Sequence, residues 1–172
     1  MSINHWIVKN LVCTLLLAVG GLNMYAQKDK YLIEAEAFQF KGKWSTDRSA
    51  DCMGSAMLRL NGGGSLDEQF DALTVVNIME EGDYNVWVRS ADYDKLPGTR
   101  LFRLSVDEKP MKESGKHGKV GFYWENAGCV QLAKKQVLLR LHDTKRNFGR
   151  CDAILLVKDH SINPNEMDRK EV

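Results

Sequence analysis

The stretch YNVWVRSA, residues 84–91, predicts the fold of this chain because its side chains alternate between two kinds of environment. Successive side chains of a strand point to opposite faces, so Tyr84, Val86 and Val88 would share one face and Arg89 would lie on the other. One apolar face and one polar face are typical of an antiparallel sheet that covers a core on one side. We therefore expect this stretch to be a core strand.

Seven further segments show strand patterns and are separated by the turn signals NGGG, EEGD, KLPGT, DEKP and NFG. The predicted strands are residues 31–38, 55–61, 72–79, 84–91, 100–107, 122–132, 136–144 and 151–158. No stretch has a convincing helical period. Short strands at such close spacing predict an all-β fold, an antiparallel β-sandwich.

Both ends of the chain are expected to lie outside the sandwich. Lys9, the apolar run LVCTLLLAVGGL and a small residue at Ala26 form the pattern of a secretory signal peptide. The apolar run is shorter than the ~20 residues that span a bilayer, so no membrane span is expected. We predict a signal peptide at 1–26, one sandwich domain at 27–162 and a frayed polar tail at 163–172. The mature chain would be exported, to the periplasm or beyond the cell.

Composition excludes some classes of partner. The chain has 24 Lys and Arg against 23 Asp and Glu, a net charge of +1, so nothing global favours nucleic acid or a membrane surface. Cys52, Cys129 and Cys151 follow the predicted signal peptide, and no two have metal-ligand spacing. Export permits disulfides, but an odd count leaves at least one thiol over, and the pairing stays open.

Three acids suggest an ion site. Glu34 and Glu36 alternate along the first predicted strand, which places both on one face, and Asp152 opens the last strand. If these strands are neighbours, the three carboxylates meet, and Ca²⁺ takes six to eight oxygen ligands. Alternatively, the acids protect an edge strand from aggregation. Periodicity alone favours that alternative.

A family resemblance favours the ion. The sequence IEAE of the first strand, GDYNVWVR at 82–89 and CDAILLVK of the last strand, in this order, resemble the calcium-containing, galactose-binding-like jelly rolls. These are typified by carbohydrate-binding modules of families six and thirty-five. The resemblance implies a jelly-roll sandwich, a polysaccharide or oligosaccharide partner, and a structural calcium held by Glu34, Glu36 and Asp152 with backbone carbonyls.

A narrower resemblance suggests an alternative function. The runs FRLSVDEKPMKESGKHGKVGFYWENAG and LLRLHDTKRNFGRCDAILL are similar to a domain of secreted Bacteroidetes proteins. That domain often accompanies flavin-dependent oxidoreductases or polysaccharide-degrading enzymes. The chain would then be a protein-interaction or accessory domain that positions such a partner enzyme. It has no G-x-G-x-x-G after a strand, so no dinucleotide site is expected.

The resemblance also implies a ligand site among loops at one end of the sandwich. Sugar-binding modules stack an aromatic ring on the sugar, and the candidates expected to do so are Tyr93 and Trp124, although burial is the commoner fate of an aromatic. Asn147 and Phe148 precede the last strand, near where the family often supplies an asparagine.

Basic residues suggest an anionic polysaccharide. Arg100 and Arg146, with Arg150, lie near the predicted site, and guanidinium groups bind carboxylate and sulfate in bidentate fashion. A predicted arginine face offers a second place for this role, and its alternative is a solvated face whose arginines pair with acids. The members of that face are Arg89, Arg103, Arg140 and His142, with Trp87 among them.

Catalysis is not expected. His142 and Asp143 are adjacent on a strand, so they point in opposite directions and cannot form a base and its orienting partner. There is no G-x-S-x-G motif. Glu34 and Glu36 lie side by side, whereas glycosidase carboxylates face each other across a cleft.

Overall fold

The computed structural model describes residues 29–62, 68–144 and 148–172. The predicted signal peptide at 1–26 lies outside the described residues, as do Arg146 and Asn147. None of the helical segments within the described ranges has the length and apolar character needed to cross a bilayer.

The described residues form strands almost throughout, which confirms the predicted all-β class. The strands are β1 (Lys30–Glu34), β2 (Ser45–Arg48), β3 (Ala56–Arg59), β4 (Ala72–Asn77), β5 (Gly82–Ala91), β6 (Phe102–Val106), β7 (Lys109–Ser114), β8 (Phe122–Leu132), β9 (Gln136–His142) and β10 (Arg150–Val157). Short 3₁₀ turns lie at Ala35–Ala37, Glu68–Phe70 and Pro164–Glu166.

The strands form two antiparallel sheets, as predicted. One has six strands, in the order β2-β3-β10-β5-β8, with β1 also paired to β10. Because β5 occupies one edge of β10, β1 and β3 share the other edge end to end. Glu34 stands opposite Ala153, so the first and last strands are neighbours. The second sheet has the order β4-β9-β6-β7.

The core lies between the two sheets. Tyr84, Val86 and Val88 of β5 are fully buried, which confirms the face predicted from their alternation. Leu104 of β6 and Leu139 of β9 are buried against them in the same cluster. Each such side chain contributes about 1.5–3 kcal/mol of transfer free energy, so this layer is the main stabilising element.

A second apolar layer covers the outer face of the six-stranded sheet. Leu155 and Val157 of β10 and Trp124 of β8 pack there with Val172. Asn165 holds the C-terminal segment in place, since its Oδ1 accepts from the Trp124 backbone N and its Nδ2 donates to the Trp124 backbone O, both at 2.9 Å. The tail expected to fray is therefore part of the fold.

The end of the first strand and the presence of two edge strands differ from the prediction. The first strand ends at Glu34 and continues as a 3₁₀ turn, and strands β2 and β7 were not expected. Both missed strands lie at a sheet edge and have polar sequences, STDR and KPMKES. Charges and proline are common on edge strands, where they weaken the alternation on which the prediction depends.

Candidate functional site

The acidic residues do converge, although by a different route from the predicted one. Glu34 ends β1 and Glu36 lies in the following 3₁₀ turn, yet both carboxylates reach the backbone of Gly54. A Cβ at Gly54 would collide with Glu36 Oε1 and would lie 3.0 Å from Glu34 Oε2. The 3₁₀ turn therefore brings the carboxylates of Glu34 and Glu36 together, as a continuous strand was expected to do.

Two of the glutamate oxygens have no partner among the residues that the structure describes. Glu36 Oε1 accepts from Ser55 N at 2.8 Å and from Ala56 N at 3.2 Å, but Oε2 of both Glu34 and Glu36 is buried without a hydrogen bond. Burial, followed by the charges of Glu36 and Asp152, raises the pKa of Glu34 to about 7. Uncompensated carboxylate oxygens of this kind fit a hard cation such as Ca²⁺.

Asp152 is fully buried and already has a cationic partner. Its carboxylate pairs with Arg89 and accepts from Met53 N at 3.0 and 3.1 Å. Burial raises the pKa of Asp152, and the Arg89 contact opposes that shift. Within the described ranges, no three His, Cys, Asp or Glu side chains form a metal-binding group. Glu34 and Glu36 thus fit the predicted ion better than Asp152 does.

A bulge on β10 positions Asp152. Cys151 pairs with Ser90 and Ala153 with Arg89, so Asp152 is an extra residue between two successive pairs. Such bulges re-aim one side chain without disturbing the rest of the strand. The adjacent Cys151 points into the core, while Ala153 lies on the outer face.

The predicted binding residues Tyr93, Arg100 and Phe148 meet at one end of the sandwich, and we call them the loop-end cluster. The loop after β5 carries Tyr93 and Arg100, with the guanidinium carbon 5.8 Å from the tyrosine ring centre. Phe148 comes from the loop before β10, where its backbone N donates to Thr99 O at 3.4 Å. Tyr93 is 41% exposed and Phe148 46%, so both rings are available to a ligand.

Asp92, which the sequence patterns did not single out, holds the loop after β5 against the loop between β7 and β8. Its carboxylate accepts from Tyr93 N at 2.7 Å, Gly98 N at 3.1 Å and Gly118 N at 2.9 Å. Arg100 also donates to the Asp92 backbone O at 2.7 Å. Because Gly118 belongs to the loop between β7 and β8, one buried carboxylate fixes two loops at the candidate site. The sequence did contain a signal for this role of Asp92, which is an aspartate directly after a core strand, followed by glycines.

The prediction for Trp124 is wrong. Its side chain is only 5% exposed because the C-terminal segment covers it, so it offers no free face at the loop end. It instead lines a cavity of about 210 Å³ on the outer sheet face, together with Arg89, Phe122 and Tyr123. Arg89 stacks on the Phe122 ring there, 4.9 Å from guanidinium carbon to ring centre.

The predicted arginine face does not exist as one surface. Arg89 and Trp87 lie on the outer face of the six-stranded sheet, whereas Arg103, Arg140 and His142 belong to strands of the other sheet. Three of the arginines instead pair with acids, as the alternative predicted. Arg103 pairs with Glu113 at 3.3 Å, Arg140 with Asp71 at 3.6 Å, and Arg89 with Asp152.

His142 takes part in a network that was not predicted. Its Nε2 lies 2.6 Å from Ser105 Oγ and its Nδ1 lies 2.7 Å from Asp71 Oδ2. The order serine, histidine, aspartate is that of a hydrolase triad. Ser105 is only 5% exposed, however, so its Oγ cannot reach a substrate carbonyl, and the network instead links β4, β6 and β9.

The cysteine pairing left open by the sequence is resolved. Cys52, Cys129 and Cys151 are all free thiols; Cys129 is exposed and the other two are buried. Burial raises the pKa of the Cys52 thiol to about 12, so that thiol stays protonated.

No protein-family model and no curated protein matches the sequence. Solved structures with the same fold do match. A family 35 carbohydrate-binding module from Clostridium thermocellum is 17% identical with a TM-score of 0.58, over 73% of this chain and 97% of that one. The C-terminal CBM6 of LamC, a marine laminarinase from Zobellia galactanivorans, is 15% identical with a TM-score of 0.56, over 76% and 100%.

Enzymes match over a smaller share of their length. The Podospora anserina GH26-CBM35 β-(1,4)-mannanase is 15% identical with a TM-score of 0.62, and the match covers 83% of this chain but 30% of that one. Three neighbours that are matched over nearly their whole length are binding modules. At these identities the likeness shows the fold. The chain has the β-sandwich fold that the carbohydrate-binding modules of families 35 and 6 in these structures have.

Proposed function

We propose that this chain is an exported, non-catalytic carbohydrate-binding module whose ligand lies on the loop-end cluster. The observation that carries the proposal is the pair of exposed rings, Tyr93 and Phe148, on two loops that meet where Phe148 N donates to Thr99 O. The fold supports it, since the solved structures that it matches over nearly their whole length are carbohydrate-binding modules. Export rests on the signal-peptide pattern of residues 1–26.

Binding would combine apolar contact with a few fixed polar groups. The Phe148 ring packs against the backbone of Gly62, where a side chain would collide with it, so the ring is held in place before a sugar arrives. Tyr93 is held by the bond from its own backbone N to Asp92. A preformed platform loses little conformational freedom on binding, which favours affinity.

A panel of immobilised plant, host and microbial polysaccharides tests this proposal with the mature chain. We expect the double variant Tyr93→Ala, Phe148→Ala to lose at least about tenfold in affinity, about 1.4 kcal/mol, because both stacking surfaces are gone. Met79→Ala is the matched control, since Met79 is 49% exposed but follows β4 at the opposite end of the sandwich. Failure of the unaltered chain to bind any glycan would overturn the proposal, as would equal binding by the double variant.

We further propose a structural calcium at Glu34 and Glu36. The support is threefold: Oε2 of each glutamate is buried without a partner among the described residues, both carboxylates approach Gly54, and the pKa of Glu34 is raised. When bound, the ion would neutralise the two carboxylates and complete their coordination with backbone oxygens. The residues themselves tie the end of β1 to the chain that enters β3, since Glu36 binds Ser55 N and Ala56 N.

A further inference from the structure

His117 lies in the loop between β7 and β8, and both of its ring nitrogens contact backbone groups. Its Nε2 lies 3.1 Å from the carbonyl oxygen of Ser90, and its Nδ1 lies 3.1 Å from the backbone N of Lys119. A carbonyl oxygen can only accept, so Nε2 carries the hydrogen and Nδ1 accepts from the Lys119 N–H. The two contacts together therefore require a neutral imidazole with its hydrogen on Nε2.

The bond to Nδ1 closes a short turn around Gly118. Gly118 lies between His117 and Lys119 with a φ of +67°, a conformation that glycine adopts at little cost. Its backbone N donates to Asp92 Oδ2 at 2.9 Å, and Oδ1 of the same carboxylate accepts from Tyr93 N at 2.7 Å. The imidazole is thus connected, through Gly118 and Asp92, to the backbone that carries one ring of the loop-end cluster.

A proton on Nδ1 would replace this acceptor with a second donor. The protonated Nδ1 and the Lys119 N–H would then face each other, and the hydrogen bond would become a repulsive contact. The new charge would also lie close to another cation. The Lys119 ammonium lies 3.6 Å from the centre of the Tyr123 ring, and the centre of the His117 ring lies 5.7 Å from that same ring. Protonation of His117 therefore opposes the closed turn in two ways.

Among the described residues, no acid forms an ion pair with His117. The charged and titratable groups around it are Lys116 and Lys119 of its own loop, Tyr123 and Glu125 of β8, and Asp92 of the loop after β5. Glu125 accepts from Ser90 Oγ and from Gly115 N, both at 2.6 Å. The two carboxylates near this loop therefore bind backbone and hydroxyl donors and not the imidazole.

We propose that His117 is a positioning residue for the loop-end cluster: as a neutral imidazole it closes the turn at Gly118 and keeps Tyr93 in place for a sugar ring, and its protonation opens the turn and weakens glycan binding. The inference rests on the function proposed above and adds its regulation by pH. The contribution of His117 is present while the imidazole is neutral and is lost as the pH falls. Histidine commonly changes its charge between about pH 5 and 8, so the response lies in a physiological range.

Nuclear magnetic resonance tests the inference without a ligand. At about pH 7.5 the ring nitrogens of His117 should show the hydrogen on Nε2. On acidification to about pH 5, we expect the exchange protection of the Gly118 and Lys119 amides to fall at least about fivefold, and the Tyr93 amide signal to shift with the midpoint of His117. Glu34, whose pKa is about 7, also titrates in this range, so the measurement is made at the loop amides and not on global stability.

His117→Asn is the conservative variant. An asparagine side-chain oxygen accepts a backbone N–H two residues further on, so it can replace Nδ1, and it takes up no proton in this range. Protection of the Gly118 and Lys119 amides should therefore persist at both pH values, whereas His117→Ala should lose it at both. His160→Asn changes an exposed histidine that follows the other end of β10, and this control should keep the response of the unaltered chain.

The polysaccharide panel described above, repeated at about pH 7.5 and about pH 5, extends the test to binding. The unaltered chain should lose about three- to tenfold in affinity on acidification, and His117→Asn should lose less. Unchanged protection of the loop amides on acidification would overturn the inference, as would an equal loss of affinity in the two proteins. Absence of binding at both pH values, with the response of the loop amides intact, would overturn the proposed function and leave the role of His117 in the loop standing.

Discussion

Strand β10 carries two charged residues, Arg150 and Asp152, whose charges differ in how the surrounding structure compensates them. Asp152 is fully buried, and Arg89 and the Met53 backbone neutralise it from within the fold. Arg150 lies near the surface, opposite Arg59, and no described residue forms an ion pair with it. The difference separates a charge that an ion pair within the fold compensates from one that the described residues leave without an ion pair.

The largest expected effect comes from removing the internal partner. Arg89→Gln leaves the buried Asp152 carboxylate without its cationic partner, so we expect the free energy of unfolding to fall by about 3–5 kcal/mol. Arg150→Gln is the matched comparison, and its stability should change by less than about 1 kcal/mol in either direction. Denaturant unfolding measures both. Similar losses of unfolding free energy in the two variants would show that the two charges do not differ in this way.

Calcium removal comes next in size. An ion held at Glu34 and Glu36 at a hundred times its dissociation constant adds about 2.7 kcal/mol. For a domain of this size, excess chelator should therefore lower the melting temperature by about 5–10 °C. Glu36→Gln should abolish the response to chelator, whereas Glu81→Gln, an exposed acid at the other end of the sandwich, should keep it. An unchanged melting temperature on chelation would contradict the proposed ion and leave Glu34 as a partly buried acid of raised pKa.

The smallest expected effect concerns the C-terminal segment. Asn165→Ala removes two hydrogen bonds to the Trp124 backbone, which should cost about 1–2 kcal/mol. Hydrogen exchange at the Trp124 amide should speed up markedly, and Asn77→Ala, at the exposed end of β4, should not affect it. Unchanged protection of the Trp124 amide would show that the segment does not depend on this contact.

Local alternation predicted the parts of the fold that depend on neighbouring residues. The pattern of β5 correctly assigned its buried face, and the order of motifs correctly placed β1 beside β10. Exposure was harder to predict, because it depends on segments that are distant in the sequence. Trp124 was expected to bind a ligand, but residues more than forty positions later cover it. A signal was present, since the continuous apolar run AILLV indicates a strand buried on both faces.

The candidate site was only partly predictable for the same reason. Tyr93 and Phe148 were named as loop aromatics and Arg100 as a basic residue near them, and the structure places Arg100 beside Tyr93 and Phe148 beside Thr99. The opposition of Arg59 and Arg150 depends on strand register, which no single stretch of sequence contains. The role of Asp92 depends on loop geometry that forms only when Gly98 and Gly118 approach it.

The bulge at Asp152 also affects how this protein can change by insertion and deletion. Elsewhere in β10, losing one residue would turn every later side chain to the wrong face of the sheet. At position 152 the loss would restore regular pairing, because Cys151 and Ala153 already pair with consecutive residues of β5. Asp152 can therefore be gained or lost as a single inserted residue without repacking of the core. The buried ion pair of Asp152 with Arg89 and the packed core are, in this strand, separately evolvable.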